Sequence, residues 1–203
     1  RALFLDFGRI SSAYRVTTLV TFLGTAGGLA VSALLAYPLS LKHVRGRSVI
    51  NLFVLFPLLF SGGMVPWYIV MTRYLGLRNS LLALILPIMV LPFNVILLRT
   101  FFQTIPGAFR ESALIDGASE TRVLVSIVAP VSTAGLATIG LFIALSYWNN
   151  WFLSLMLVSD RGLFTLQFLL REIISNIQAL QDDPTGQSIG DLPTEGLKMA
   201  TAV

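Results

Sequence analysis

Four long stretches of this chain contain no charged residue, and they limit what it can fold into. No Asp, Glu, Lys or Arg occurs at 16–41, 48–72, 79–98 or 123–159. A helix crosses the hydrocarbon core of a bilayer with about 20 predominantly apolar residues, and every one of these stretches is long enough. Inside lipid the backbone must satisfy its own hydrogen bonds, which leaves helices or barrel strands. Barrel strands alternate apolar and polar residues, whereas the run Leu81 to Val90 is apolar almost throughout. Charged residues make up 12% of the whole, against about 25% in soluble domains. The expectation is therefore an all-α, polytopic transmembrane helix bundle forming a single membrane domain over 1–203. Spans are expected near 16–40, 48–71, 80–102 and 131–158, with a polar lead-in at 1–15 and a polar segment at 159–195. Residues 196–203 turn apolar and read as the start of a further span. The chain opens on Arg1 without a signal-peptide pattern, so it is expected to be a fragment of a longer protein.

The absence of cysteine and the single histidine, His43, exclude disulfides, thiolate metal sites and Cys- or His-based catalysis. No catalytic residue and no metal ligand is assigned. The basic residues are scattered rather than clustered, which speaks against nucleic acid. A P-loop needs Gly-Lys followed by Ser or Thr. The two lysines, Lys42 and Lys198, each follow a leucine, so the chain binds no ATP by that route.

Gly24 and Gly28 in the first span stand at the spacing that lets helices approach closely. The second span is interrupted by Ser61-Gly62-Gly63 and Pro66. Pro87 and Pro92 kink the third, as a moving gate or as fixed shape. With alternating crossings, the 41–47 turn and the 99–129 stretch share one side. The lead-in, the 72–79 turn and 159–195 share the other. The dense basic turn Lys42–Arg47 favours the first side as cytoplasmic.

The stretch between the third and fourth spans is the most polar internal segment. It reads as two short helices joined at a glycine. Pro106 suits a first helical turn, Gly117 a left-handed helix end, Ser119 a cap for the next helix, and Pro130 the start of the fourth span. Phe109 and Ala113 share a face. Such an amphipathic helix either inserts into a partner's groove or lies on lipid. Glu111, Asp116 and Glu120 weigh against the lipid alternative, because helices lying on membranes are usually rich in Lys and Arg.

These residues resemble the EAA loop of ABC importer permeases, whose pattern is Glu-Ala-Ala, three residues, Gly, nine residues, Ile, one residue, Leu-Pro. Here Glu111-Ser112-Ala113 is followed by Gly117, Ile127 and Pro130 at that spacing. Ser112 stands for the first alanine and Ala129 for the leucine. The resemblance implies that this loop is cytoplasmic and docks on an ATPase subunit. Glu111 would pair with a basic residue there, Gly117 would form the turn, and Ser112, Ala113, Asp116, Ile127 and Pro130 would complete the coupling surface. Further features are similar to the carbohydrate-uptake, maltose-type branch: Ile105-Pro106, Asp116-Gly117-Ala118, and Tyr147-Trp148-Asn149-Asn150-Trp151-Phe152. The stretch Gly62 to Tyr68 and the turn Leu75 to Ser80 look like those of oligosaccharide permeases, with alginate-type or pectin-derived sugars as examples. The resemblance implies a type I importer fold and a bacterial inner-membrane location. It also implies two ATPase subunits holding ATP and Mg, a second and different permease subunit, an extracytoplasmic solute-binding protein, and a saccharide substrate.

Two adjacent asparagines deep in a span are costly facing lipid. Tyr147, Trp148, Asn149, Asn150 and Trp151, with Trp67 and Tyr68, are therefore candidates to line a sugar path; helix–helix hydrogen bonding and an interfacial aromatic belt are the alternative. Glu172, Asp182 and Asp183 read as solvated surface, and with Asp191 the acidic residues lack a calcium-loop pattern. An importer for another solute fits the same loop. An ion-driven transporter would want ionisable residues in its spans, and these spans have none.

Overall fold

The computed structural model describes residues 2–181 and, away from the two ends, their side chains. The expected span at 196–203 and the acidic positions Asp182, Asp183 and Asp191 lie outside the described residues. Within them the chain is helical and has no strand: α1 (Ala2–Ser40), α2 (Arg47–Leu59), α3 (Met64–Ile69), α4 (Leu81–Ile85), α5 (Pro92–Gln103), α6 (Gly107–Ile115), α7 (Glu120–Val123), α8 (Ala129–Val131), α9 (Thr133–Trp148), α10 (Phe152–Leu157) and α11 (Leu166–Gln181). Wider π turns extend α3 at Val70–Tyr74 and join α7 to α8 at Leu124–Val128.

The helix at 8–40 is by itself long and apolar enough to cross a membrane. The expected lead-in is no separate segment: α1 runs unbroken from Ala2 for 39 residues, about 58 Å at 1.5 Å per residue. Three further pairs of helices reach spanning length only together, bent by 116° between 47–59 and 64–74, by 54° between 81–88 and 92–103, and by 89° between 120–131 and 133–148. Residues 48–71 are thus not one straight helix. Phe60 is extended and Gly63 has φ +83°, a conformation open to glycine, so the chain folds back there. Pro92 opens α5 behind an extended Leu91, as the residue before a proline prefers. The expected span 131–158 is also interrupted, with α9 ending at Trp148 and α10 beginning at Phe152.

α1 is the axis of the bundle, lying along α9 and α5. Lipid tails are as apolar as leucine, so helices associate through close packing at small residues rather than through apolar burial. Gly24 does this work. A Cβ there would sit 2.4 Å from the ring of Tyr147, and one at Gly28 would sit 2.8 Å from the Met89 carbonyl and 3.3 Å from Ile143. Gly135 in α9 makes the same room for Phe101 of α5. Around these contacts Ala36, Leu39, Leu84, Val95, Leu98, Ile139 and Ile143 are buried.

Each end of the bundle is stitched across long sequence separations. At one end Asn79, with φ +48°, accepts the Ser159 and Asp160 amides through Oδ1 (2.5 and 3.1 Å) and donates its own amide to Leu157 (3.0 Å). Thr17 accepts the Leu166 amide at 2.8 Å, and Ser154 pairs with Thr165 at 2.9 Å. At the other end the 41–47 turn meets the loop at 104–129.

Gly24→Ala is expected to cost about 1–3 kcal/mol, because the added methyl overpacks the ring of Tyr147. The check is a fall in the melting temperature of the detergent-solubilised protein, restored in part when Tyr147→Leu clears the space.

Candidate functional site

The polar loop folds as a helical hairpin at one end of the bundle. α6 ends in a Schellman arrangement: the Gly117 amide reaches the Leu114 carbonyl at 3.0 Å and the Ala118 amide reaches Ala113 at 2.9 Å. Gly117 has φ +81°, and a Cβ on it would meet nothing within 4 Å. The glycine is required by backbone conformation alone. Ser119 caps the following turn by accepting the Arg122 amide (3.4 Å). The rod from 120 to 131 then meets α9 at 89°, so it lies across the end of the bundle when α9 runs through the membrane.

α6 turns one face inward and another outward. Ala113 is buried, while Glu111, Ser112, Asp116, Gly117 and Pro130 are exposed and Ile127 is half-buried. Phe109 does not follow Ala113 inward and stays 53% exposed, and Ile115 at the tip is 86% exposed. Glu111 makes no ion pair among the described residues. The exposed surface of α6 therefore offers the Glu111 carboxylate and the apolar side chain of Ile115 near one another, with Phe109 exposed on another side of the helix.

The loop is held to the bundle by a cluster that no spacing rule indicates. Arg110 pairs with Glu120 across the Gly117 turn, its Nε lying 3.1 Å from Oε2 and its Nη2 bonding Oε1. The hydroxyl of Tyr37, from the last turn of α1, donates to the same Oε2 at 2.6 Å. Arg110 also donates to His43 Nε2 at 3.0 Å. The hydrogen bond from Arg110 holds the Glu120 carboxyl below its ordinary value, and that from Glu120 raises the guanidinium. An open pocket of about 240 Å³ lies beside this cluster, lined by Tyr37, His43, Glu120 and apolar neighbours. A second tie joins α2 to α5: Arg99 donates to Asn51 at 2.6 Å. With its amide oxygen facing the guanidinium groups, Gln103 accepts from Arg47 and Arg99 at 2.9 and 3.2 Å.

The aromatic and amide candidates fall at the opposite end and do not form one wall. Tyr147 is buried and donates its hydroxyl to the Ile85 carbonyl at 2.7 Å, so its surface is committed to packing. Trp148 meets Tyr14 edge to face at 6.0 Å between centroids. The asparagines answer a local need, since the helix breaks there: Asn149 donates to the Leu145 carbonyl (3.0 Å) and Asn150 accepts the Leu153 amide (2.9 Å), capping the start of α10. Trp67 and Trp151 are brought together through Phe152, with centroids 5.9 and 6.1 Å from its ring, and Arg171 lies 3.7 Å over Trp151. Tyr68 is half-buried beside Trp67. An open groove of about 370 Å³ lies elsewhere, between α2, α5 and α9, and is lined by Phe93, Asn94, Phe142, Ser146 and neighbouring leucines. Asn94, an amide in an apolar span, is the signal for it in the sequence. Among the described residues no cluster of His, Cys, Asp and Glu has the makings of a metal site.

Comparison with known proteins gives the site a context. No family model matches the chain. It is 40% identical over 189 residues to the polygalacturonan/rhamnogalacturonan transport system permease protein YtcP of Bacillus subtilis, covering 93% of this chain and 66% of that protein. It is 30% identical over 178 residues to the inner membrane ABC transporter permease protein YcjP of Escherichia coli, covering 85% and 60%. Among solved structures it resembles a chain of a bacterial ABC transporter involved in the import of the acidic polysaccharide alginate, with a TM-score of 0.78 and 30% identity over 86% of this chain and 65% of that one. The chain thus spans about two thirds or less of the length of these relatives.

Two outcomes follow for the loop. Gly117→Val is expected to destabilise the hairpin by about 1–2 kcal/mol more than Gly117→Asn, since a β-branched residue resists the left-handed region; amide exchange at 113–118 reads the difference. Glu120 has a depressed value in the folded state, so its tie to Arg110 is complete above the ordinary glutamate range and is lost as the pH falls through the folded value. Exchange at 119–123 should accelerate only in that acid window.

Proposed function

The chain belongs to the transmembrane permeases of ABC sugar transporters, and on that premise we propose that it forms half of an oligosaccharide path and couples that path to separate ATPase subunits. The observation that carries the coupling role is the hairpin at 107–131. It stands at one end of the bundle, is turned by a left-handed Gly117, buries Ala113 and presents Glu111 with Phe109 and Ile115 outward. An amphipathic helix with an unpaired charge fits a partner's groove.

In this reading Glu111 meets a basic residue of an ATPase subunit, and Ser112, Asp116, Gly117, Ile127 and Pro130 complete or support the docking surface. Two ATPase subunits hold ATP and Mg and perform the hydrolysis. A second, different permease chain closes the path, and an extracytoplasmic binding protein delivers the sugar. The complex sits in the bacterial cytoplasmic membrane with residues 104–129 inside. The crossings are α1, the bent pairs 47–74 and 81–103, and α9 with α10. ATP-driven closure of the ATPases moves the hairpin as a body, and α5 and α9 tilt with it, exchanging inward for outward access.

The substrate in this reading is an oligosaccharide carrying carboxylates. Relatives are named for polygalacturonan/rhamnogalacturonan transport and for import of acidic alginate. Trp67 and Trp151, gathered around Phe152, and Tyr68 next to Trp67 give aromatic surface for sugar rings, with Trp148 standing apart against Tyr14, and Arg171 over Trp151 gives a planar cation suited to a carboxylate. Asn149 and Asn150 shape this region by ending α9, and Tyr147 supports it from within.

The test uses the full-length importer complex purified from native membranes. Glu111→Lys places like charges at the docking surface, which costs several kcal/mol. ATPase subunits should be lost from the purified complex, and uptake of oligogalacturonate or oligoalginate should fall about tenfold or more. Undiminished retention and uptake would remove the coupling role from this loop. Trp151→Ala should instead leave the ATPase subunits in place and reduce sugar-stimulated hydrolysis.

A further inference from the structure

We propose that Tyr37 and Glu120 are positioning residues through which movement of the coupling hairpin reaches α1, so that the lever acts on the first helix as well as on the two spans that flank it. This inference rests on the coupling role proposed above for the hairpin.

Covalent continuity ties the hairpin only to α5, through 104–106, and to α9, through the corner at Ser132. α1 is remote in sequence, yet it is the axis along which α5 and α9 pack. Among the described residues its last turn makes one hydrogen bond to the hairpin, from the Tyr37 hydroxyl to Glu120 Oε2 at 2.6 Å, across 83 positions; Arg110 also holds His43, three residues beyond the helix, at 3.0 Å. Glu120 is held in turn by Arg110, which sits on the docking helix beside Glu111. The four parts form a continuous series: docking face, Arg110, Glu120, Tyr37. Arg110 is largely shielded from water while the Glu120 side chain is 45% exposed, and Tyr37 is buried, so the bonds are charge-assisted, which makes them stronger than neutral ones, and are shielded from water on the donor side. The direction of Glu120 is fixed by chemistry at both ends, because a carboxylate accepts from a guanidinium and a phenol together.

α1 can carry what it receives. Pro38 lies beside Tyr37 near the end of the helix. Further along, Gly24 and Gly28 press against Tyr147, Met89 and Ile143 with no room for a Cβ. A displacement at Tyr37 has no soft contact there to absorb it. Tyr147 connects onward to Ile85 at 2.7 Å, one turn before the break at 89–91 between the two halves of the third crossing. The clasp thus links the ATPase side to the bend of that crossing by rigid contacts.

The experiment uses the complete importer reconstituted in vesicles, with Tyr37→Phe, Glu120→Gln and the double variant. Three quantities are read: ATPase subunits retained, melting temperature of the complex, and sugar transported per ATP hydrolysed. The expected result is normal retention with about a tenfold loss of transport per ATP in each variant, the scale of one charge-assisted hydrogen bond. The double variant should be no worse than either single one, because both break the same link. Tyr37→Phe removes a single oxygen and keeps the ring, so it remains informative if Glu120→Gln does not assemble. Normal retention with unchanged transport per ATP in Tyr37→Phe would overturn the clasp and leave the docking role standing. Loss of ATPase subunits from Tyr37→Phe would also overturn it, by showing that the bond only shapes the docking face. A wild-type complex that holds no ATPase subunit would defeat the coupling reading itself.

Discussion

The structure depends on the contact between Gly24 of α1 and the ring of Tyr147 on α9. In a bilayer, apolar burial gives helices little reason to prefer one another over lipid, and association rests on how closely backbones approach. Gly24, Gly28 and Gly135 each open a gap that an aromatic ring, a carbonyl or an isoleucine fills. Tyr147 then finds the Ile85 carbonyl for its hydroxyl, which satisfies the one polar group it brings inside. α1 becomes an axis onto which the bent helices are fixed. That axis lets a small docking hairpin at one end bear on a packed body rather than on loose spans.

The hairpin itself is built on simple backbone chemistry. Gly117 supplies a left-handed residue, the two Schellman bonds close α6, and Ser119 starts the next turn. Nothing crowds the glycine. A glycine stands here because φ +81° disfavours a side chain, and the open space around it leaves the outer face of the loop free for a partner. The inner face is occupied by Ala113 and by the group of Arg110, Glu120 and Tyr37.

Much of this was legible in the sequence because it is local. Charge-free runs expose the membrane class, and the Gly117 turn and Ser119 cap follow from residues within a few positions. What was not legible is tertiary. Nothing near Tyr37 announces that its hydroxyl meets a carboxylate 83 positions away. The interruption of the run at 48–71 is marked by Ser61-Gly62-Gly63 and Pro66, but the 116° of its fold-back is not, since that angle depends on the surroundings. Asn149 and Asn150 were expected to face a path or a neighbouring helix because amides in apolar spans need partners; the partners turn out to be the backbone ends that their own helix break exposes. Tyr147 belongs to the same lesson, since an aromatic residue beside amides is equally suited to packing against a glycine.

The claim that the hairpin grips a nucleotide-hydrolysing subunit is tested most directly at Ile115, the most exposed apolar side chain of the loop. A photo-crosslinking residue placed there in the intact importer, in native membranes, should give an adduct with the ATPase subunit whose yield changes when ATP is supplied. Adducts with lipid alone, with the same yield whether or not nucleotide is present, would contradict it.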